Sequence, residues 1–172
     1  DLVADTLIKK FDFDGTNNGS EPYGSLMQAT NGKLYGMTSI GGTNSLGVLF
    51  QYDPAADTLI KKFDFDGTNY GGLPHGSLMQ ATDGNLYGMT NWGGTTNNGV
   101  LFQYDPVADT LIKKFDFGGT NYGENPFGSL MQATDGKLYG MTNSNWANGI
   151  GVLFQYDPVT DTLIKKIDFD GA

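Results

Sequence analysis

The sequence contains no cysteine in 172 residues. That excludes a disulfide framework, thiolate-bound zinc, iron–sulfur clusters and thiol nucleophiles. It contains one histidine, His75, which excludes a multi-histidine metal site within one chain. All ten basic residues are lysine. The forked guanidinium that suits phosphates and base edges is therefore missing. Together with a net charge of −9, this argues against a nucleic-acid partner. No apolar run approaches the roughly 18 residues of a membrane helix, so membrane insertion is not expected. No signal peptide is visible. The sequence opens inside a repeat, so a leader processed away before Asp1 stays open.

What is present is a repeat. The string DTLIKK begins at Asp5, Asp57, Asp109 and Asp161, always 52 residues apart. Residues 1–52, 53–104 and 105–156 align without gaps, and 39 of 52 positions agree between each copy and the next. Residues 157–172 start a fourth copy. A fixed period of this size marks units that bury their apolar surface against one another.

Each copy predicts four short strands. The first is Ser25–Thr30, followed by Asn31-Gly32, a two-residue hairpin signal that becomes Asp-Gly at 83–84 and 135–136. The second is Lys33–Thr38. A Gly/Asn-rich loop leads to the third, Gly47–Asp53. The turn D-P-x-x-D, with Pro54, Pro106 or Pro158 preset for a type I turn, leads to the fourth, Thr58–Phe65. No apolar period of 3.6 residues runs over ten positions, so no helix is expected. The expected fold is all-β: blades of a β-propeller, three four-stranded antiparallel repeats plus one extra strand. A β-trefoil is the alternative, although its units are shorter. The division is one repeat domain over 1–172, with an N-terminal outer strand at 1–16 and blades at 17–68, 69–120 and 121–172.

Eight of the ten lysines form the pairs 9–10, 61–62, 113–114 and 165–166. Paired lysines suit an exposed edge, where charge discourages strand addition. This places the fourth strand outermost and the first strand, with Gln28 and Ala29, along the central channel.

The unit G-x-L-Y-G-x-T stands at Gly32–Thr38, Gly84–Thr90 and Gly136–Thr142. It is followed by G-V-L-F at Gly47–Phe50, Gly99–Phe102 and Gly151–Phe154. In this order and spacing the chain resembles the GloVer (Gloeobacter/Verrucomicrobia) tandem repeat of exported bacterial proteins. The resemblance implies a propeller-like fold and an extracellular or cell-surface location. It supplies no activity. The third copy departs from the pattern, reading NSNWANG at residues 143–149.

Differences between the copies cluster in two places. One is the connection from the fourth strand to the next first strand, including Asn18/Tyr70/Tyr122 and Tyr23/His75/Phe127. The other is the loop from second to third strand, residues 39–46, 91–98 and 143–150. In a meander both emerge at one end, giving a variable rim on a copied frame, as binding faces often do. The candidate ligand-binding residues are Tyr23, Tyr70, His75, Trp92, Tyr122, Phe127 and Trp146, suited to sugar rings or a protein surface. The competing reading is that these aromatics pack between blades.

Two further features bear on chemistry. Asp12, Asp14, Asp64 and Asp66 stand in D-F-D-G, where carboxylates two apart beside glycine suit either a calcium loop or a strand-end turn. Calcium is the one cofactor candidate. Of 19 acidic residues, 17 are aspartate, mostly at turns, and no nucleophile–base constellation is visible, so no catalytic residue and no enzyme are expected. Three blades are too few for a propeller, which typically has four or more. The chain is therefore expected to close a ring or array with itself or to belong to a longer array. Its expected partners are a second copy and a glycan or surface protein. The functional expectation is binding or adhesion through the rim, with a structural, self-assembling repeat as the alternative.

Overall fold

A computed structural model describes residues 5–143 and 151–169. Each copy folds into one antiparallel meander. β1 (Met27–Gln28), β2 (Leu34–Thr38), β3 (Val48–Asp53) and β4 (Thr58–Asp64) form the first sheet in that order. β5 (Met79–Gln80), β6 (Leu86–Thr90), β7 (Val100–Asp105) and β8 (Thr110–Asp116) form the second. β9 (Met131–Gln132), β10 (Leu138–Met141), β11 (Val152–Asp157) and β12 (Thr162–Asp168) form the third. Among the described residues the only helix is one turn, α1 (Gly119–Tyr122). No strand ladder joins one sheet to the next, which separates this architecture from a trefoil. The three sheets are propeller blades, and they do not close into a ring.

Alternate side chains along each strand face opposite ways, and the second blade is buried on both faces. The trailing face of the first blade carries Ala29, Tyr35, Met37, Leu49 and Phe65. It packs on the leading face of the second, Leu78, Leu86, Phe102, Tyr104 and Leu111. The same boundary recurs one unit later, with Ala81, Tyr87, Met89, Leu101 and Phe117 on Leu130, Leu138, Phe154, Tyr156 and Leu163. At its centre the Phe65 and Phe102 rings are 5.5 Å apart, and Phe117 and Phe154 are 5.2 Å apart. All four are fully buried. Burying one such ring contributes roughly 2–3 kcal/mol.

The first strand is shorter than its sequence suggests, because the amides at both ends are used by the neighbouring blade. Ser25 N–H donates to Ser77 Oγ at 2.7 Å, and Thr30 N–H donates to Gln80 Oε1 at 2.8 Å. Ser77 and Thr82 repeat these bonds to Ser129 and Gln132. Gln28 stays exposed at the inner edge, but Ala29 does not line a channel: it is buried in the boundary. The hairpin after β1 also differs from the two-residue form. Only the glycine takes positive φ (79° at Gly32), Gly32 N–H donates to Ala29 O, and the Asn31 carboxamide oxygen accepts from Lys33 N–H. Asparagine and aspartate serve here as side-chain acceptors, not as left-handed residues.

The fourth strand is outermost, but its lysines are not simple edge guards. β4 pairs with β3 as Phe50↔Lys61 and Leu49↔Phe63, so Lys62 is the extra residue of a β-bulge. A bulge re-aims a side chain, and Lys62 reaches Asp109 of the next blade at 2.7 Å. Lys114 reaches Asp161 in the same way at 3.1 Å. The other lysine of each pair stays within its strand, Lys61 on Asp64 and Lys113 on Asp116. The tyrosine hydroxyls of Tyr52, Tyr104 and Tyr156 donate to Asp57, Asp109 and Asp161 from the opposite side.

The N-terminal outer strand expected within residues 1–16 is absent as a strand: the described residues 6–14 have no ladder partner. Among the described residues twelve strands form.

Close approach of the blades is set at Gly24 and Gly76. A Cβ built on Gly76 would lie 2.1 Å from Gly128 O, whereas one built on Gly128 meets nothing within 4 Å. Neither residue has positive φ, so space alone decides. We expect Gly76→Ala to lower stability in urea unfolding by about 1–3 kcal/mol, as overpacking does, and Gly128→Ala to leave the midpoint nearly unchanged. Equal effects would show that the blades are not seated this closely.

Candidate functional site

The two variable connections meet at one end of each blade. Ser20 bridges Ile40, Gly72 bridges Trp92, and Asn143 N–H donates to Glu124 O at 3.2 Å. The D-P-x-x-D turns lie at the opposite end. On the rim, Glu21, Leu73 and Asn125 take left-handed backbone, with φ of 58°, 53° and 53°. A proline follows each of them and fixes the next φ. This turn recurs in all three copies despite three different side chains, so the frame imposes it. It delivers the next residue but one to the inner edge, just before the glycines where the blades converge.

Those residues are Tyr23, His75 and Phe127, and the structure brings them together. Tyr23 and His75 are 5.1 Å apart between ring centroids. His75 and Phe127 are 4.3 Å apart and stacked at 8°. Three equivalent positions on successive blades thus form one aromatic ladder. Its outer members are open to solvent, Tyr23 at 63% and Phe127 at 51% exposure, with His75 half-buried between them. The Tyr23 hydroxyl donates to Glu21 Oε2 at 2.9 Å. This bond and the Glu21 charge hold the phenol above its ordinary range. Burial lowers the His75 imidazole, and the Glu21 charge opposes that shift in part.

The remaining candidates separate from this ladder. Tyr70 and Tyr122 stand edge-on against Phe63 and Phe115, at 5.0 and 4.9 Å, and prop the connections from below. Trp92 lies 38% exposed over a groove of about 410 Å³, lined by residues including Leu46, Asp66, Asn69, Asn97 and Lys113. Trp146 lies outside the described residues.

The aspartates of D-F-D-G do not converge. Asp64 accepts from Thr43 N–H and Oγ and pairs with Lys61, while Asp66 accepts from the amides of Asn69 and Tyr70 and from the Asn69 carboxamide. Burial pushes the Asp66 carboxyl up, and the hydrogen bonds from Tyr70 and Asn69 outweigh it, so the net shift is downward. Asp14 repeats this turn on Asn17 and Asn18, and Asp12 pairs with Lys9 at 2.8 Å. Among the described residues no group of three or more His, Asp or Glu side chains is gathered as a metal cage.

Glu21 is the ladder residue that sequence reasoning passed over, although it sits two positions before Tyr23 in the variable connection. Asn97 and Lys113 of the Trp92 groove carry no local signal, because that groove forms between units.

Blades stacked face to face through one repeated boundary, with a variable rim above a copied frame, define a propeller-type repeat protein. The chain belongs to the Gloeobacter/Verrucomicrobia repeat family, which it matches over residues 2–172. Comparison with curated proteins found no match. Solved structures show the same fold. One is TolB from Acinetobacter baumannii, 14% identical with a TM-score of 0.53, covering 82% of this chain and 31% of that one. Another is the extracellular domain of a one component system from B. thetaiotaomicron, 21% identical with a TM-score of 0.59, covering 90% and 18%. A third is an oligogalacturonate lyase from Vibrio parahaemolyticus, 12% identical with a TM-score of 0.56, covering 87% and 40%. The chain thus spans less than half the length of each of these structures.

The His75 environment generates a titration test. The imidazole should titrate below its ordinary 6.5 when followed by NMR, and Glu21→Gln should lower it further by removing the opposing charge. With the folded value below the unfolded one, the neutral ring stabilises the fold fully above pH 6.5. That contribution declines as pH falls below it. An unchanged midpoint in Glu21→Gln would separate Glu21 from the ladder.

Proposed function

We propose that this chain is a non-enzymatic binding module of an extracellular or cell-surface protein, engaging its partner through the rim. The observation that carries this reading is the Tyr23–His75–Phe127 ladder. Side chains that only prop a loop pack against the core beneath it, as the half-buried Tyr70 and Tyr122 do on their phenylalanines. The ladder instead presents ring faces and edges to solvent at the place where three blades converge. Such a ledge suits the flat apolar face of a pyranose or a partner's aromatic side chain. The acidic chain and the Glu21 carboxylate favour a neutral or cationic partner over an anionic one. Membership of a repeat family resembling exported proteins supports the location. The chemistry present supports recognition over catalysis, since the partly buried aspartates at the strand ends are engaged by lysines, amides and hydroxyls.

A second reading is favoured by the two ends of the stack. The leading face of the first blade and the trailing face of the third carry the same apolar positions as the interior boundaries, yet they are open. Leu26 is 54% exposed where Leu78 and Leu130 are 3% and 5%, and Met141 is 53% exposed where Met37 and Met89 are 4% and 3%. This favours assembly with further blades. The two readings are compatible, since one uses the rim and the other the faces.

The rim is tested by binding. A glycan array and a surface-protein pull-down with the wild-type chain should give a signal that Tyr23→Ala with Phe127→Ala reduces at least tenfold, while Tyr70→Ala changes stability more than binding. Loss of a stacked ring costs about 1–3 kcal/mol by analogy with aromatic stacking on flat ligands. A signal indifferent to the ladder would move the site to the Trp92 groove or sink the reading.

A further inference from the structure

Residues 9–15 hold the first blade as β4 and its sequel hold the second. Lys10 pairs with Asp57 at 3.2 Å, as Lys62 pairs with Asp109 and Lys114 with Asp161. The Phe13 ring lies 5.3 Å from Phe50, as Phe65 lies 5.5 Å from Phe102. Gly42 N–H donates to Gly15 O, as Gly94 N–H donates to Gly67 O. This segment is therefore already seated as a fourth strand against the leading face of the first blade. Among the described residues it has no third strand to pair with, and its Leu7 and Ile8 stand exposed. Beside it an apolar groove of about 420 Å³ runs over Phe11, Phe13, Leu26, Leu34, Phe50 and Leu59.

The far end of the stack offers the complement. The trailing face of the third blade exposes Met131, Met141, Ile167 and Phe169. Lys166, at the bulge position of its strand, is exposed and makes no ion pair among the described residues. Docking this face on the leading face of another copy would continue the boundary already seen twice, including its Lys–Asp pairing. One obstacle remains. β12 and residues 6–13 of the receiving copy are the same sequence element and would claim the same place. The N-terminal segment has the stronger claim. It is covalently continuous with the receiving blade through the connection at 14–26, as every interior fourth strand is with the blade it packs on. It also carries Phe11 where β4 and β8 carry Phe63 and Phe115, whereas β12 carries Ile167.

We propose that a second copy of this chain occupies the groove, and that the N-terminal segment of one copy replaces β12 as the fourth strand of its neighbour's third blade. Residues 6–12 then pair with β11 in the register that β12 now uses, with Ile8 opposite Gln155 in the place of Ile164. The proposal rests on the self-assembly reading and adds the strand exchange to it. The contact is heterologous, so it closes into a ring or continues as a filament according to the angle between copies. The unbalanced edge drives it.

The absence of native cysteine makes disulfide trapping clean. Gln155 and Ile164 are directly opposed on β11 and β12, a separation that a disulfide spans. The full chain carrying both Gln155→Cys and Ile164→Cys has β12 pinned when oxidised and free when reduced. Circular dichroism of both forms controls for folding. The wild-type chain should associate with rising concentration in sedimentation velocity. The oxidised variant should remain monomeric, and reduction should restore association. Mixing single variants Ile8→Cys and Gln155→Cys should give the mixed linked dimer in excess over a statistical distribution. If the pinned chain associates as well as the wild type, the exchange is overturned while self-assembly stands. If the wild type is monomeric at every concentration, both are overturned.

Discussion

A phenylalanine at the end of each fourth strand lies on the phenylalanine of the next blade's third strand, and the rest of the molecule is arranged around that contact. Phe65 on Phe102 and Phe117 on Phe154 sit at the centre of the two interior boundaries. The surrounding positions answer to them. The glycines of G-x-L-Y-G-x-T leave room for these rings: a Cβ on Gly88 would lie 2.5 Å from the Phe102 ring. Near the axis, Gly24 lets two backbones come close enough for Ser77 and Gln80 to bond across. At the periphery, the bulge at Lys62 turns one lysine out of its sheet onto Asp109. A single sheet of this kind cannot bury its apolar faces alone. Stacking buries both of its faces at once.

Much of this was legible in the sequence. A gap-free 52-residue period, paired turn signals and strands with consecutive apolar residues point to four-stranded blades buried on both faces, and the order of strands follows from the lysines. The reason behind that order was not legible. Lys61 and Lys62 look alike in sequence, yet the bulge gives them separate tasks, one within the strand and one across the boundary. The first strand was over-read because its end amides bond to side chains 50 and 52 positions away. Pattern reading within one unit cannot see such partners.

The rim divides in the same way. That Tyr23, His75 and Phe127 vary together was visible from comparing copies. That they stack on one another was not, because their contacts cross two boundaries. Tyr70 and Tyr122 belong to the same variable cluster, and only the third dimension turns them inward. The frame fixes a left-handed turn and a proline before each ladder position, so the ladder residues can differ without moving the blades. The copied residues make the boundaries, and the substituted ones stand on the rim.

The identity of the two interior boundaries has a consequence for inheritance. Because each face meets a face of the next unit in one fixed way, inserting or deleting a whole 52-residue unit creates no new junction. The boundary left behind is the one that was there before. A change of a few residues within a unit, by contrast, would shift a bulge or a register and reverse which side chains meet the neighbour. The gene for such a protein can lengthen or shorten in whole steps that the fold does not register, while smaller steps are removed by misfolding. The number of blades is then not set by the packing of any one boundary.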